Sequence, residues 1–248
     1  MPLRKLSLER LNSMFEDKES IKTGKLQSFE EIDLLLKDIK IKELKEPQKF
    51  NGMNSVQFAT TKIDPAYSVV LEFGVWKGDS LRLIREELDP VKYHVCAFDS
   101  FEGLPEDWTN TELKKGFFST GGIIPPIEDV KFYKGWFKNT IPKYLKDIEA
   151  NTEIEDKTIA LLHVDCDLYS STKTIFKYLH PYIKKGTIIV FDDWFYHGEE
   201  IAPYQNKKYA DGEQKAFYEY VVKNAISWEF IPFMDHQNLY ERKIVRIL

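Results

Sequence analysis

The chain is expected to fold as an α/β protein, a mostly parallel sheet covered by helices and closed by an antiparallel strand pair. Three observations predict this. From Ser68 onward short apolar runs alternate with amphipathic ones, as they do when helices cover both faces of a buried parallel sheet. The two final strand-like segments are separated by only four residues, enough for antiparallel pairing and too few for a right-handed crossover helix. Several apolar runs close on glycines and carboxylates, the chemistry found where open sheets bind ligands beyond their strand carboxyl ends.

Taken in order, residues 1–63 read as an N-terminal helical appendage, rich in Lys, Glu and Leu. Ser28 and Glu31 have capping-box spacing, Ile32, Leu35, Leu36 and Ile39 share one face, and Pro47 ends the run. That face needs a partner surface: the same domain, a lid position over the site, or a second copy of the chain in a homo-oligomer. Residues 64–248 form the main domain, with strands expected at 68–74, 94–100, 130–135, 158–165 and 187–193. Leu81, Ile84 and Leu88 stripe a helix over 79–88, and Ile175, Phe176 and Leu179 stripe another over 170–183, which Gly186 stops. A helix over 213–224 precedes strand-like segments at 227–234 and 239–248, giving seven strands. The loops at 101–129 and 196–212 are far longer than ordinary connections, which marks them as functional.

Composition excludes several classes. With 248 residues and a net charge of −5, the chain lacks the basic surface of a general nucleic-acid binder. Its two cysteines, Cys96 and Cys166, sit in apolar runs and read as core thiols in a reducing compartment. No apolar stretch is long enough for a signal peptide or a membrane span, so a soluble cytoplasmic protein with no membrane partner is expected.

The first strand ends in LEFGVWKGDS, where Gly74 and Gly78 permit positive φ and the following helix start offers free amides. The pattern is neither a Walker loop nor GxGxxG. Asp99 closes the second strand, where an acid can bond ribose hydroxyls. Glu72, just before the turn, would repel a pyrophosphate but suits a cationic amino acid headgroup. An S-adenosylmethionine-like cofactor fits these residues better than NAD.

The blocks EFGVWKGDS, FDSFEGLPEDW, GWFKNTIP, HVDCDLYSST and IIVFDDW, in that order, resemble the macrocin O-methyltransferase family, which contains sugar O-methyltransferases. The resemblance covers residues 68–220. It implies a class I S-adenosylmethionine-dependent fold in which Glu72, Gly74 and Ser80 surround the methionine portion, Asp99 takes the ribose, and Ser100 and Phe101 lie beside the adenosine. Gly135, Trp136 and Phe137 would approach the adenine. Two departures from the family pattern stand out: Cys166 replaces the commoner glycine between two acids, and the 196–212 loop has its own composition.

Asp165 and Asp167 end the fourth expected strand, and Asp192 and Asp193 end the fifth. Four converging carboxylates need protons or a cation, and oxygen-only ligands point to Mg²⁺ or another hard divalent ion. The resemblance implies Asp165, Asp192 and Asp193 as its ligands, with Asp165 also beside the cofactor. It also implies Asp167 as the base that deprotonates a hydroxyl acceptor. His197 is the second candidate, since imidazole titrates in the useful range; His163, inside an apolar strand, reads as a satisfied core residue. Tyr169, Trp194, Phe195, Tyr196 and Tyr204 are candidate rings for stacking on a sugar or aglycone. The expected reaction is methyl transfer to a sugar hydroxyl of a glycan precursor or glycosylated metabolite. The alternatives are a phenol, amine or carboxylate acceptor, or cofactor binding without transfer.

Overall fold

Predominantly apolar strands that are buried at every position are covered on both faces, and three such strands, over residues 69–73, 159–164 and 188–191, form the centre of the protein. In a computed structural model, residues 53–108, 111–194, 212–231, 233 and 242–248 are described. The strands are β1 (Val69–Phe73), β2 (His94–Asp99), β3 (Val130–Lys134), β4 (Ile159–Val164), β5 (Ile188–Phe191), β6 (Trp228–Ile231) and β7 (Lys243–Ile247). They form one seven-stranded sheet in the order β3-β2-β1-β4-β5-β7-β6. The first five run parallel, and β7 lies antiparallel between β5 and β6. The order turns back between β1 and β4, which opens a crevice at their carboxyl ends.

Helices α1 (Ser55–Thr60) and α2 (Asp79–Glu87) cover one face. Val56, Phe58 and Ala59 of α1 and Leu81 and Ile84 of α2 pack there on Val70, Ala97, Leu161 and Val190. Asn54 starts α1 with a reciprocal capping box to Gln57. Helices α3 (Phe137–Ala150), α4 (Tyr169–Leu179) and α5 (Glu213–Lys223) accompany the opposite face, where Ile141, Ile175 and Phe217 join Leu71, Phe98 and Phe191 in a larger core. Parallel register sets Phe73, Phe98 and Tyr133 side by side across three strands. Their rings stack at 4.3 and 5.0 Å, and Tyr144 closes the row edge-on.

Strand and helix positions follow the hydrophobic patterning to within a few residues. The helix expected over 170–183 stops at Leu179 and continues as one 3₁₀ turn, His180–Tyr182, because Pro181 cannot extend the hydrogen-bond ladder. Helix α3 has no counterpart in the sequence reading, although Ile141, Tyr144 and Ile148 show its buried stripe. The 101–129 loop is anchored: Leu104 and Trp108 bury themselves against Leu168, with Phe118 packed beside them. The helix expected around 28–39, most of the 196–212 loop and most of the linker between β6 and β7 lie outside the described residues.

Phe98 is fully buried in the middle of the aromatic row. Phe98→Ala should cost about 3–5 kcal/mol of stability, read as a lower urea midpoint with an unchanged m-value.

Candidate active site

The first turn is built by contact before any ligand is considered. Gly74 adopts φ +90°, and a Cβ there would stand 1.6 Å from the Asp165 carbonyl oxygen, so β1 and β4 approach too closely for any other residue. Asp99 reaches across from β2. Its Oδ2 accepts the amides of Val75 and Trp76 at 2.7 and 2.9 Å, and its Oδ1 accepts that of Phe101 at 2.7 Å. Ser100 Oγ accepts the Glu102 amide and donates to the Gly103 carbonyl, folding the start of the long loop back.

These turns surround a cavity of about 450 Å³. Gly74, Asp99, Ser100, Trp136, Phe137, Asp165 and Asp167 line it, which brings seven of the sequence-derived residues to one space. Glu72, Ser80, Phe101, Gly135, Asp192 and Asp193 are not in its lining. Phe101 is core, 1% exposed, and faces Phe132. Gly135 donates its amide to the Asp99 carbonyl, tying β3 to β2 behind the cavity. Glu72 is fully buried beneath it. One of its oxygens accepts from Ser80 Oγ at 3.2 Å and the other meets His163 Nδ1 at 3.1 Å. His163 is thus buried as expected but only half satisfied, since its Nε2 has no hydrogen-bond partner among the described residues. His197, Phe195, Tyr196 and Tyr204 lie outside those residues.

The acids after β4 and β5 meet because the two strands are neighbours, with Val164 opposite Phe191. Asp167 sits at φ +62°, a strained conformation for a residue with a side chain. Its carboxyl lies close enough to that of Asp193 for the two to interact, which favours their sharing a proton. Burial pushes the Asp165, Asp167 and Asp193 carboxyls well above the ordinary range, and the neighbouring acids push them further. Asp192 behaves oppositely. Burial raises its carboxyl too, but His163 and Arg242 beside it outweigh that and hold it below the usual range. Arg242 grips it side-on, Nε to Oδ1 at 2.6 Å and a terminal nitrogen to Oδ2 at 3.1 Å. His163 is held well above the imidazole range, because the Asp192 and Glu72 carboxylates on either side of it overcome the opposing effect of burial. His163, Asp165 and Asp192 each place one potential ligand atom within 4.8 Å of the others.

Glu213, the first residue of α5, escaped the sequence reading. It is fully buried and accepts the Cys166 amide on Oε1 at 3.0 Å and the Asp193 amide on Oε2 at 3.2 Å. One carboxyl therefore clamps both acid-bearing loops. Burial and Asp193 raise its pKa well above the usual value. The aromatic candidates change as well. Trp194 is 2% exposed and packs among Phe191, Phe217, Tyr218 and Phe230, so its ring is core and presents no stacking face. Tyr169 has Lys173 and Lys215 against its ring at 4.9 and 4.7 Å and donates its hydroxyl to Glu219, which ties α4 to α5.

The strand order, the reversal at β1 and the cavity above it define the class I methyltransferase fold. The sequence of residues 71–194, half of the chain, matches the model of a family described as a methyltransferase domain, and the chain belongs to that family. It is 29% identical over 146 residues to demethyldecarbamoylnovobiocin O-methyltransferase from Streptomyces niveus. Over a stretch of the same length it is 27% identical to 8-demethyl-8-(2,3-dimethoxy-alpha-L-rhamnosyl)-tetracenomycin-C 4'-O-methyltransferase from Streptomyces olivaceus. Each alignment covers 50% of this chain and 52% of the relative, so the chain spans about half the length of these proteins. Among solved structures, the calicheamicin methyltransferase CalS11 shares the fold with a TM-score of 0.56 at 20% identity, covering 99% of this chain and 96% of that one.

Glu213→Gln keeps the shape but puts an NH₂ where one backbone amide needs an acceptor. It should lower stability by about 1–3 kcal/mol, measured by thermal unfolding, with Glu213→Ala at least as damaging.

Proposed function

We propose that the protein is an S-adenosylmethionine-dependent O-methyltransferase acting on a sugar hydroxyl of a glycan precursor or glycosylated metabolite. One observation carries this reading: the cavity that Gly74 and Asp99 border on one side has Asp165 and Asp167 on the other, so a cofactor crevice and a set of proton-accepting carboxyls share one space. The relatives support it, since one is named for novobiocin O-methylation and the other for methylation of a rhamnosyl tetracenomycin.

In this reading Glu72 and Ser80 support the floor beneath the cofactor's methionine end, Asp99 faces its ribose, and Trp136 and Phe137 border the adenine. Bound S-adenosylmethionine supplies an already activated methyl group, and a divalent cation such as Mg²⁺, held by Asp165 and Asp192 with Asp193 as the third carboxylate, would supply positive charge that makes a nearby hydroxyl more acidic. The residues fit a cation, because several largely desolvated carboxyls stand together and, among the described residues, Arg242 and His163 are the positive groups beside them. Asp167, in its ionised form, accepts the acceptor's hydroxyl proton, with Asp193 beside it. His197 is the second base candidate. The appendage expected over residues 1–63 acts as a lid or an oligomer contact through the part that precedes α1, because α1 itself packs on the sheet. Both cysteines are free and buried, which accords with a cytoplasmic location, and among the described residues no helix is long and apolar enough to cross a membrane.

A mass-spectrometric screen of nucleotide sugars and glycosides with S-adenosylmethionine should yield a product heavier by one methyl group. Micromolar NAD binding without S-adenosylhomocysteine binding, measured by calorimetry, would sink the reading. Asp167→Asn should lower turnover about 10²- to 10⁴-fold while leaving S-adenosylhomocysteine affinity near normal. If instead His197→Ala loses turnover and Asp167→Asn keeps it, the base is His197.

A further inference from the structure

Trp76 borders the cavity, and the proposed reaction leaves it without a role. Its backbone is left-handed, at φ +48°, a conformation that is costly for a bulky side chain and persists where the surroundings impose it. Asp99 helps to impose it, since its Oδ2 holds the Trp76 amide at 2.9 Å. Trp76 is 42% exposed. Phe118, also left-handed at φ +65°, packs against its ring at 5.6 Å and 75°. The exposed Lys77 places its ammonium 4.3 Å from the ring centroid, so this ring already takes a cation. Val75, whose amide the same Asp99 oxygen accepts, is by contrast 4% exposed and packs in the core. Trp76 is the large side chain that the turn after β1 leaves open.

We propose that Trp76 reads the charge of the cofactor: its indole face makes a cation–π contact with the sulfonium and so favours S-adenosylmethionine over the neutral thioether S-adenosylhomocysteine. The inference rests on the proposed function and deepens it. In that reading Glu72 and Ser80 lie under the methionine end and Asp99 faces the ribose. The sulfonium is the atom that joins those two parts of the cofactor. Trp76 stands between Gly74 and Ser80 in the chain and is pinned to the ribose-facing carboxylate, so of the side chains on this turn it is the one that meets the junction. A sulfonium carries three carbon substituents and no N–H. Unlike the Lys77 ammonium, it gives up little hydration on meeting an apolar face, and cation–π contacts are strongest where the cation is desolvated. When the methyl group leaves, the electron pair of its bond to sulfur stays on sulfur, and the charge that Trp76 recognises is gone. Trp76 thus holds the spent cofactor less firmly than the fresh one.

The test is calorimetric titration of the full chain with S-adenosylmethionine and, separately, with S-adenosylhomocysteine. Trp76→Leu should weaken S-adenosylmethionine binding about 2- to 30-fold while S-adenosylhomocysteine binding stays within about twofold of its original value. Trp76→Phe keeps a ring and should retain part of the preference. A fluorinated tryptophan at position 76 keeps the shape of the side chain and draws negative charge off the ring face, so each added fluorine should lower the preference for S-adenosylmethionine by a further step. That series decides the matter should Trp76→Leu fail to fold. Equal loss of both ligands in Trp76→Leu, or a preference that fluorination does not move, overturns the inference and leaves the methyl-transfer reading standing, since both ligands still bind the unsubstituted chain. If the unsubstituted chain binds neither ligand, the methyl-transfer reading falls and the inference falls with it. Charge-selective loss in a protein that methylates no sugar upholds the role of Trp76 and sinks only the sugar acceptor.

Discussion

Like charge confined at the ends of two neighbouring strands is the constraint around which this molecule is arranged. Asp165 and Asp167 leave β4, Asp192 and Asp193 leave β5, and Glu213 enters from α5, crowding five carboxyls at one largely desolvated place on whose open side Asp165 and Asp167 border the cavity. In such a place ionised carboxyls repel strongly and desolvation opposes each charge. The surroundings answer in three ways. Arg242 and His163 neutralise Asp192, Asp167 and Asp193 lie close enough to share a proton, and Glu213 spends both oxygens on backbone amides. Each answer comes from a different element, so the β4 and β5 loops keep their geometry only while β7 and α5 are docked.

The sheet makes that docking rigid. On the β1 side, stacked Phe73, Phe98 and Tyr133 hold three strands in register. On the far side, Phe191, Trp194, Phe217 and Trp228 interlock β5, β6 and α5. The polar line from Ser80 through Glu72, His163 and Asp192 to Arg242 crosses the sheet between these aromatic blocks. It joins the start of α2 to the acid cluster through Glu72 and His163, which are wholly shielded, and ends on the partly exposed Asp192 and Arg242.

What could be read from the sequence follows from which contacts are local. Buried parallel strands announce themselves as unbroken apolar runs, so β1, β4 and β5 were legible, as were the glycine turn and the acids closing each strand. Seven of the residues marked by pattern and resemblance border one cavity. Tertiary returns were not legible. Nothing in the neighbourhood of Glu213 or Arg242 reveals that α5 and β7 come back to the ends of β4 and β5. Trp194 looks like a loop aromatic until α5 is laid over it, and Tyr169 looks available until Lys173 and Lys215 take its ring. His163 was half legible, since its burial can be read from the strand pattern and its unfilled nitrogen cannot. Helix α3 carried its own stripe, yet Pro142 within it and the strength of the surrounding blocks drew attention from the periodicity.

Asp99 shows how a structural economy shapes recognition. A carboxylate offers about four lone-pair directions, and the amides of Val75, Trp76 and Phe101 occupy three of them. Those bonds freeze the side chain in one rotamer before a ligand arrives, so a hydroxyl meeting the remaining lone pair incurs no side-chain ordering cost on the protein's part. The same arithmetic leaves room for a single strong donor. In the proposed cofactor site, discrimination at this point would therefore be positional, set by where one hydroxyl falls, and acquired together with the fold: the turn that closes β1 is also what aims the carboxylate.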